Sequence, residues 1–176
     1  MVAPVMLLLI MGLMEICWQA YLQSVLTGAV QKAGRDSGLE TNIGNTSTID
    51  QNVQNMVLRI DSAVTFKPSQ RLYYSTFSQV GKAEPYTDSN KNGQYDKGEC
   101  FQDINGNGVW DADQGTSGQG SADDAVVYTM TMDYPRLFPI YSWLGWSKTA
   151  ELSATTVLKN QPYASQNNST PNTVCS

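Results

Sequence analysis

The chain has 176 residues, a formal charge of −5 and no histidine. The absence of histidine removes the commonest general base and the commonest transition-metal ligand. The acidic balance, without any basic stripe, argues against a nucleic-acid partner. The length suits one anchor followed by one domain of about 140 residues, which is large enough for a real core.

The first segment, residues 1–35, predicts one long helix whose character changes along its length. Residues 2–18 read VAPVMLLLIMGLMEICW and carry a single charge, Glu15. Further on, apolar residues recur at helical spacing and predict a stripe buried on one face. That stripe comprises Leu22, Val25, Leu26, Ala29, Val30 and Ala33. The combination is typical of a membrane-seated stalk that emerges into water.

Three interpretations of the apolar run are open. Its rise of about 25 Å is at the short end for a hydrocarbon core of about 30 Å. A membrane anchor whose upstream residues are missing is favoured over a secretory signal peptide, because no Lys or Arg precedes Lys32 and the run ends in a poor cleavage site. The third interpretation is a buried helix of a soluble domain.

Residues 36–160 predict an exported α+β domain. After a polar connector, residues 48–63 predict an amphipathic helix with a Thr48–Gln51 capping box. Its expected buried stripe is Ile49, Val53, Met56, Val57 and Ile60. Strand patterns follow at 71–77, 126–134 and 149–158, so the helix is expected to cover one face of a small antiparallel sheet. Residues 161–176 form a polar tail that is expected to be loosely ordered unless Cys175 holds it.

A segment with two prolines and five aromatic residues, from Tyr134 to Trp146, lies between the last two strands. Such a segment is a structured loop rather than a tight hairpin. It forms either a small satellite core or an exposed docking patch.

The strongest chemical pattern lies between residues 88 and 114, within a predicted insertion over 86–120. Two units of the form D-x-N-x-N-G-x-aromatic-D-x-x-[EQ] follow each other at an offset of 15 residues. Oxygen donors at positions 1, 3, 5, 7, 9 and 12, with glycine at 6, are the ligand pattern of an EF-hand calcium loop. The first predicted Ca²⁺ site comprises Asp88, Asn90, Asn92, the Gln94 carbonyl, Asp96 and Glu99. The second comprises Asp103, Asn105, Asn107, the Val109 carbonyl, Asp111 and Gln114.

The two calcium sites are expected to be weak and unequal. Asparagine in place of aspartate lowers the charge, and affinities of about 10⁻⁴ to 10⁻³ M are typical of extracellular modules. Gln114 cannot bind an ion through two oxygens, so the second site is weaker or recruits Asp113. The aromatic residues Tyr95 and Trp110 are expected to join the loops to the core. The alternative to calcium is a pair of Asn-Gly turns.

The three cysteines have different expected roles. Cys17 lies in the apolar helix, where it acts as a small hydrophobic residue. Cys100 and Cys175 pair if the domain faces an oxidising compartment, and otherwise remain two free thiols. Millimolar calcium exists outside cells, so the predicted sites favour a domain that faces out.

The N-terminal run resembles the TadE-like family of minor pilin-like proteins of the tight-adherence pilus apparatus. Pro4, Gly12 and Glu15 occupy the family's positions, and the stretch TAELSATTVLKNQPY after the aromatic loop is also similar. The resemblance implies a bacterial inner-membrane protein with its C-terminal domain in the periplasm or outside, or in a surface pilus. It also implies that other pilin subunits and the assembly machinery are partners, with homo- or hetero-oligomers formed through the helix. The family's processing site is expected upstream of Met1, so no cleavage position is assigned.

Glu15 is a candidate assembly residue, because a carboxylate in an apolar helix is costly unless it has a role. It either pairs with a neighbouring subunit or reaches water at the outer interface. A non-enzymatic role is expected, and Asp123–Asp124 is more typical of a loop cap or an accessory calcium ligand than of an acid–base pair. The alternative function is a membrane-tethered, calcium-dependent binding or adhesion module unrelated to pili.

Overall fold

The computed structural model describes residues 2–37, 46–139, 141–160 and 171–175. It divides into two compact units. The first unit comprises Met1–Gln70 and Tyr128–Val157, and the second comprises Arg71–Val127 and Leu158–Ser176. The fold class is α+β, as predicted, with a long N-terminal helix, short helices and small antiparallel sheets.

Helix α1 spans Ala3–Ser37 and has two dissimilar halves. Its first half exposes most of its apolar side chains to the surroundings, Leu9 and Leu13 at 63% each. Its second half buries five of the six residues of the predicted stripe, with Leu22 and Leu26 at 0% exposure, and Val25 is partly buried. Ala3–Asp36 is long and apolar enough to cross a membrane. The exposed half contradicts the idea that the apolar run is a buried core helix.

Helix α2 spans Thr46–Leu58 and is shorter at its C-terminal end than predicted. Ile49, Val53 and Val57 are buried on its inner face, whereas Ile60 lies beyond the helix and is 37% exposed. The predicted capping box was wrong, because the helix begins before Thr48. The polar run of Thr and Ser around residues 46–48 offers several competing caps, so the start was not determined by sequence.

The sheet of the first unit contains strand β1 (Thr65–Phe66), most of β5 (Ala125–Pro135) and most of β6 (Thr149–Lys159). β1 pairs antiparallel with β5, with Thr65 opposite Asp133, and β6 also pairs with β5. Side chains alternate between buried and partly exposed along β5, as predicted. This period of two presents one apolar face to the helices.

A hydrophobic core built from both helices and the sheet holds the first unit together. The second half of α1, the inner face of α2 and the inward faces of β5 and β6 contribute its side chains, and the two helices pack against each other. Asp50 ties α2 to the sheet unit by accepting hydrogen bonds from Tyr128 Oη at 2.7 Å and Ser69 Oγ at 2.6 Å. The fully buried members with the largest side chains are Tyr134, Leu22, Leu26, Met130 and Met132.

The second unit contains short strands around the predicted calcium segment. β2 (Gln70–Tyr74) pairs with β4 (Thr116–Ser117), and β3 (Cys100–Asp103) pairs with β7 (Asn172–Cys175). The strand predicted over 71–77 ends early, and a 3₁₀ turn follows at Phe77–Gln79.

The Cys100–Cys175 disulfide is confirmed, and the two residues face each other across β3 and β7. It therefore holds the last described strand to the body of the second unit. The rest of the predicted tail, residues 161–170, lies outside the described residues, as does most of the connector after Ser37.

Candidate metal centre and membrane helix

The two predicted calcium loops have the same backbone turn at their sixth positions. Gly93 and Gly108 have φ angles of +78° and +76°. This left-handed conformation is nearly free for glycine and costly for other residues. The sharp turn that the EF-hand pattern requires is therefore present in both loops.

The first-position aspartates organise each loop around one carboxylate. Asp88 accepts hydrogen bonds from the backbone N–H groups four and five residues ahead, at 3.1 and 2.8 Å. Asp103 accepts the equivalent pair at the same two distances, 3.1 and 2.8 Å. The repeat seen in the sequence is thus a repeat in three dimensions.

The ninth-position aspartates converge with the asparagines at positions 3 and 5. Asp96 Oδ2 accepts from both asparagine side chains of its loop at 2.7 Å, and Asp111 Oδ2 does so at 2.7 and 2.6 Å. The oxygen of each of these amides accepts from the backbone N–H two residues ahead, at 2.7–3.1 Å. An oxygen-only donor set for a hard cation would therefore require each amide to make a half-turn and give up that hydrogen bond.

Glu99, at position 12, bridges the start and the end of the first loop. Its Oε1 accepts from the Ser89 backbone N–H at 2.7 Å, and its Oε2 accepts from the Asp96 backbone N–H at 3.1 Å. Glu99 is 5% exposed, so both oxygens are held in a largely dry position. The Glu99 carboxylate therefore links the backbone at position 2 of the loop to the backbone at position 9.

The equivalent bridge in the second loop is made by Glu84, not by Gln114. Glu84 Oε1 accepts from the Ile104 backbone N–H at 2.8 Å, and Oε2 accepts from the Asp111 backbone N–H at 3.1 Å. These are again positions 2 and 9 of a loop. Glu84 is 1% exposed and precedes Glu99 by the same 15 residues that separate the two loops.

The two residues expected to complete the second loop are engaged elsewhere. Gln114 donates from Nε2 to the Gln79 carbonyl at 3.1 Å. The Asp113 carboxylate accepts a hydrogen bond from Tyr74 Oη at 2.8 Å. Burial, followed by this hydrogen bond, raises the pKa of Tyr74 to about 12. The sequence did carry a signal for Glu84, because it extends the series Glu84, Glu99, Gln114 one period upstream.

The aromatic residues at position 8 pack against each other. The Tyr95 and Trp110 rings stack with centroids 4.7 Å apart, and Tyr86 meets both edge to face. Trp110 also donates from Nε1 to the Glu84 carbonyl at 2.9 Å. These rings join the loops to each other and, through Phe101, to strand β3.

Binding of Ca²⁺ by the two loops is a proposal. Within the described residues, no group of three or more Asp, Glu, Cys or His side chains meets the geometry of a metal cluster. Each loop nonetheless holds two asparagine side chains against one aspartate carboxylate, and its backbone N–H groups donate to a second aspartate and to one glutamate. Carboxylates and amides supply oxygen donors of the kind that Ca²⁺ takes. The backbone carbonyls of Gln94 and Val109 are the remaining donors that the pattern assigns.

Glu15 of α1 has partners within its own chain. Its Oε2 accepts from the Leu137 backbone N–H at 3.0 Å, and its Oε1 lies 3.7 Å from Arg136 Nη1. The guanidinium of Arg136 in turn lies over the ring of Trp146, 5.2 Å from its centroid. The Glu15 carboxylate therefore has partners within its own chain, without a contribution from a second subunit.

Comparison with known proteins supports the N-terminal segment. A family model described as "TadE-like protein" matches residues 1–35. The resemblance predicted from this run is thereby confirmed, and the matched residues nearly coincide with α1. The comparison with curated proteins gave no significant match, and neither did the comparison with solved structures.

Proposed function

We propose that this chain, whose N-terminal segment is TadE-like, is a membrane-anchored pilin-like subunit that takes part in assembly of a tight-adherence type IV pilus. The observation that carries the proposal is the agreement of the family match with the exposed apolar half of α1. Exposed apolar surface of this extent is unfavourable in water, so the helix needs a bilayer or other helices around it.

The location that fits is a bacterial inner membrane with the folded part in the periplasm or outside, or a surface pilus. The Cys100–Cys175 disulfide supports this side of the membrane, because such bonds persist in oxidising compartments. The partners are other pilin subunits and the assembly machinery, met through the N-terminal helix. A nucleic-acid partner is not proposed, since the formal charge is −5.

The role is one of assembly rather than catalysis. Of the acidic pair weighed as an acid–base site, Asp123 lies 2.9 Å from Lys159 Nζ. Asp124 is buried and accepts from the Ser121 backbone N–H at 2.6 Å. Both carboxylates thus have structural contacts that account for them.

The second unit is proposed to bind two Ca²⁺ ions, one in each loop, with Glu99 completing the first site and Glu84 the second. Each ion would bring together a polar segment that has few apolar side chains of its own, so that binding energy contributes to folding. This assignment replaces Gln114 as the twelfth-position ligand and leaves the rest of the predicted ligand set unchanged.

Pilus assembly is tested by deleting the gene in its native host and counting surface filaments by electron microscopy. Loss of filaments, restored by the intact gene, is expected. A control gene with Leu8 and Leu9 both changed to Lys should fail to restore them, because the charged side chains prevent membrane insertion. Normal filaments in the deletion strain would contradict the proposal.

Calcium binding is tested by melting the full-length chain in detergent with 10-fold excess EGTA and after calcium is restored. An ion present at about 30 times its dissociation constant adds about 2 kcal/mol to the free energy of unfolding. We expect a melting temperature lower by about 4–8 °C in EGTA for each site. Identical melting curves in both buffers would rule out a structural role for the metal.

A second candidate function is a membrane-tethered, calcium-dependent adhesion module unrelated to pili. It is favoured by the position of both loops in the second unit, outside the TadE-like residues. The filament count separates the two candidates, because an adhesion module would leave filaments intact and reduce only calcium-dependent surface attachment.

A further inference from the structure

The segment between β5 and β6, residues 136–148, is apolar over most of its length. We call it the aromatic loop. Arg136 and Lys148 bound it, and no charged residue occurs between them. Trp143 and Trp146 are 79% and 57% exposed. The structure thus favours an exposed patch over the satellite core that the sequence left open.

The aromatic loop lies along the exposed half of α1 and is directed towards the N-terminal end of that helix. A groove of about 740 Å³ separates Leu8, Leu9 and Gly12 of the helix from Phe138, Trp143 and Trp146. A second groove, of about 340 Å³, lies between Pro4 and Trp143. Both grooves have walls that are mainly apolar.

Glu15 fixes the base of the aromatic loop at a defined level of the helix. It accepts from the backbone of Leu137 and pairs with Arg136. Leu8, which lines the groove beside Trp143, is seven residues nearer the N-terminus, or about 10 Å along the helix axis. The aromatic loop therefore extends from the charged residue Glu15 at its base to the apolar residue Leu8 of the helix.

The backbone of the aromatic loop meets part of its own hydrogen-bonding requirement. The Ser142 N–H donates to the Pro139 carbonyl at 3.2 Å, and the Trp146 N–H donates to the Tyr141 carbonyl at 2.9 Å. Ser142 Oγ also donates to the Pro139 carbonyl, at 2.8 Å. Paired backbone groups are the condition for entering an apolar phase at tolerable cost.

We propose that the aromatic loop inserts into the lipid bilayer beside α1, in the leaflet on the side of the folded domain. Trp143 lies at the boundary of headgroups and acyl chains, and Arg136 and Lys148 lie at the level of the phosphates. This inference rests on the membrane anchoring in the proposed function and adds a second attachment point to it.

Three observations favour lipid as the occupant. The exposed face of the loop continues the exposed apolar face of the helix, so that one phase can cover both. Lys148, at the C-terminal end of the loop, is exposed and can meet anionic phosphates, whereas Arg136 is paired with Glu15. The offset of about 10 Å between Glu15 and Leu8 agrees with the burial depth of about 5–10 Å of interfacial segments, and tryptophan is enriched at that depth.

The test uses the full-length chain in vesicles of phosphatidylcholine and phosphatidylglycerol at about 3:1. Acyl chains carry bromine either near the headgroup or near the bilayer centre, because bromine quenches tryptophan at short range. The Trp143 signal is the difference between the wild type and Trp143→Phe. We expect at least twofold quenching by the shallow bromines, weaker quenching by the deep ones, and at least twofold protection from aqueous acrylamide.

A second variant keeps the test decisive. Trp143→Glu removes a side chain that is 79% exposed, so the circular dichroism spectrum should not change. The Trp146 signal is the difference between the Trp143→Glu chain and a Trp143→Glu, Trp146→Phe chain. Its quenching by acrylamide should be at least twofold stronger than that of Trp146 in a chain without the glutamate, because the loop leaves the bilayer.

Flotation of the vesicles distinguishes failure of the membrane anchor from failure of the inserted loop. A chain that does not float with lipid contradicts the membrane anchor itself. A chain that floats while Trp143 is quenched by acrylamide and not by bromine overturns the inserted loop alone. Protection of Trp143 from both quenchers, with cross-links between copies at this loop, would identify a second copy as the occupant and also overturn it.

Discussion

Glu84 and Glu99 perform the same task one loop apart. Each buried carboxylate accepts from the second and ninth backbone N–H groups of a loop, at distances that agree within about 0.1 Å. Glu99 is the last residue of the loop that it bridges, whereas Glu84 bridges a loop that begins 19 residues after it. The second loop is thus completed by a residue from outside its own twelve.

Substitution of the two glutamates tests this assignment. In isothermal titration of the full-length chain with Ca²⁺, we expect Glu84→Gln to weaken one site at least tenfold and Glu99→Gln to weaken the other. The reason is that each variant removes one negative charge and the second oxygen of a bidentate ligand. Gln114→Ala is the matched control and should leave both affinities within about twofold, since its amide contacts Gln79.

The melting temperature of each variant in EGTA separates lost metal affinity from a damaged loop. A Glu84→Gln chain that melts like the wild type in EGTA but gains less stability from calcium supports a ligand role. Weakened binding in Gln114→Ala together with unchanged binding in Glu84→Gln would return the role to Gln114.

At the residue scale, the sequence predicted the backbone turns of the two loops better than the carboxylate that bridges positions 2 and 9 of the second loop. The period of 15 residues and the glycine at position 6 located both turns, because each is a local requirement of the backbone. The choice between Glu84 and Gln114 was not local. It depends on the approach of residues 82–84 to residues 111–114, where the Glu84 N–H donates to the Asp111 carbonyl at 3.0 Å.

At the element scale, periodicity succeeded wherever one face of an element is buried. The stripe of α1 and the alternation of β5 and β6 were predicted because burial imposes a period of 3.6 or 2 on the sequence. The ends of α2 and β2 were less accurate, since the ends of elements are fixed by polar contacts that many residues can make. The short strand β7 was not predicted, because its pairing with β3 depends on a contact 75 residues away in sequence.

The disulfide is expected to be the main covalent support of the β3–β7 pair. Replacing both Cys100 and Cys175 by Ala should lower the free energy of unfolding of the second unit by about 4 kcal/mol, because the closed loop is long. Urea unfolding of the oxidised wild type against the double variant measures this difference, and amide exchange in β3 locates it. The Cys17→Ala chain is the control, because Cys17 is exposed and is not part of a disulfide.

Equal urea midpoints for the double variant and the wild type would mean that the strand pairing is sufficient without the bond. Faster exchange throughout the first unit would be equally unexpected, since both cysteines belong to the second unit.

At the scale of the whole molecule, one helix serves two environments. The half of α1 that exposes Leu9 and Leu13 requires a partner outside the chain, while the half that contains Leu22 and Leu26 fills the core of the first unit. The sequence indicated this change of character, because the apolar run gives way to a stripe with polar residues beside it. The division into two compact units was not visible in the sequence, since the chain crosses between them within β5 and β6.

Truncation tests this division of labour. A chain that begins at Gln19 retains the buried stripe of α1 and should fold without detergent. A chain that begins at Asp36 loses Leu22, Leu26 and Val30, whose burial contributes roughly 5–9 kcal/mol in total. That loss is comparable to the whole stability of a typical domain, so near-ultraviolet circular dichroism of the first unit's aromatic residues should disappear.

A matched pair of substitutions gives the same test without removing any chain. In detergent, Leu26→Ala should lower the free energy of unfolding by about 2–5 kcal/mol, because it leaves a cavity in a filled core. Leu13→Ala should change it by less than about 0.5 kcal/mol, because that side chain is exposed in the folded chain. Membrane partition should respond in the opposite order, with Leu13→Ala weakening flotation with vesicles and Leu26→Ala leaving it unchanged. Equal losses of stability in the two variants would mean that α1 is buried along its whole length, and the membrane-anchored interpretation would then fail.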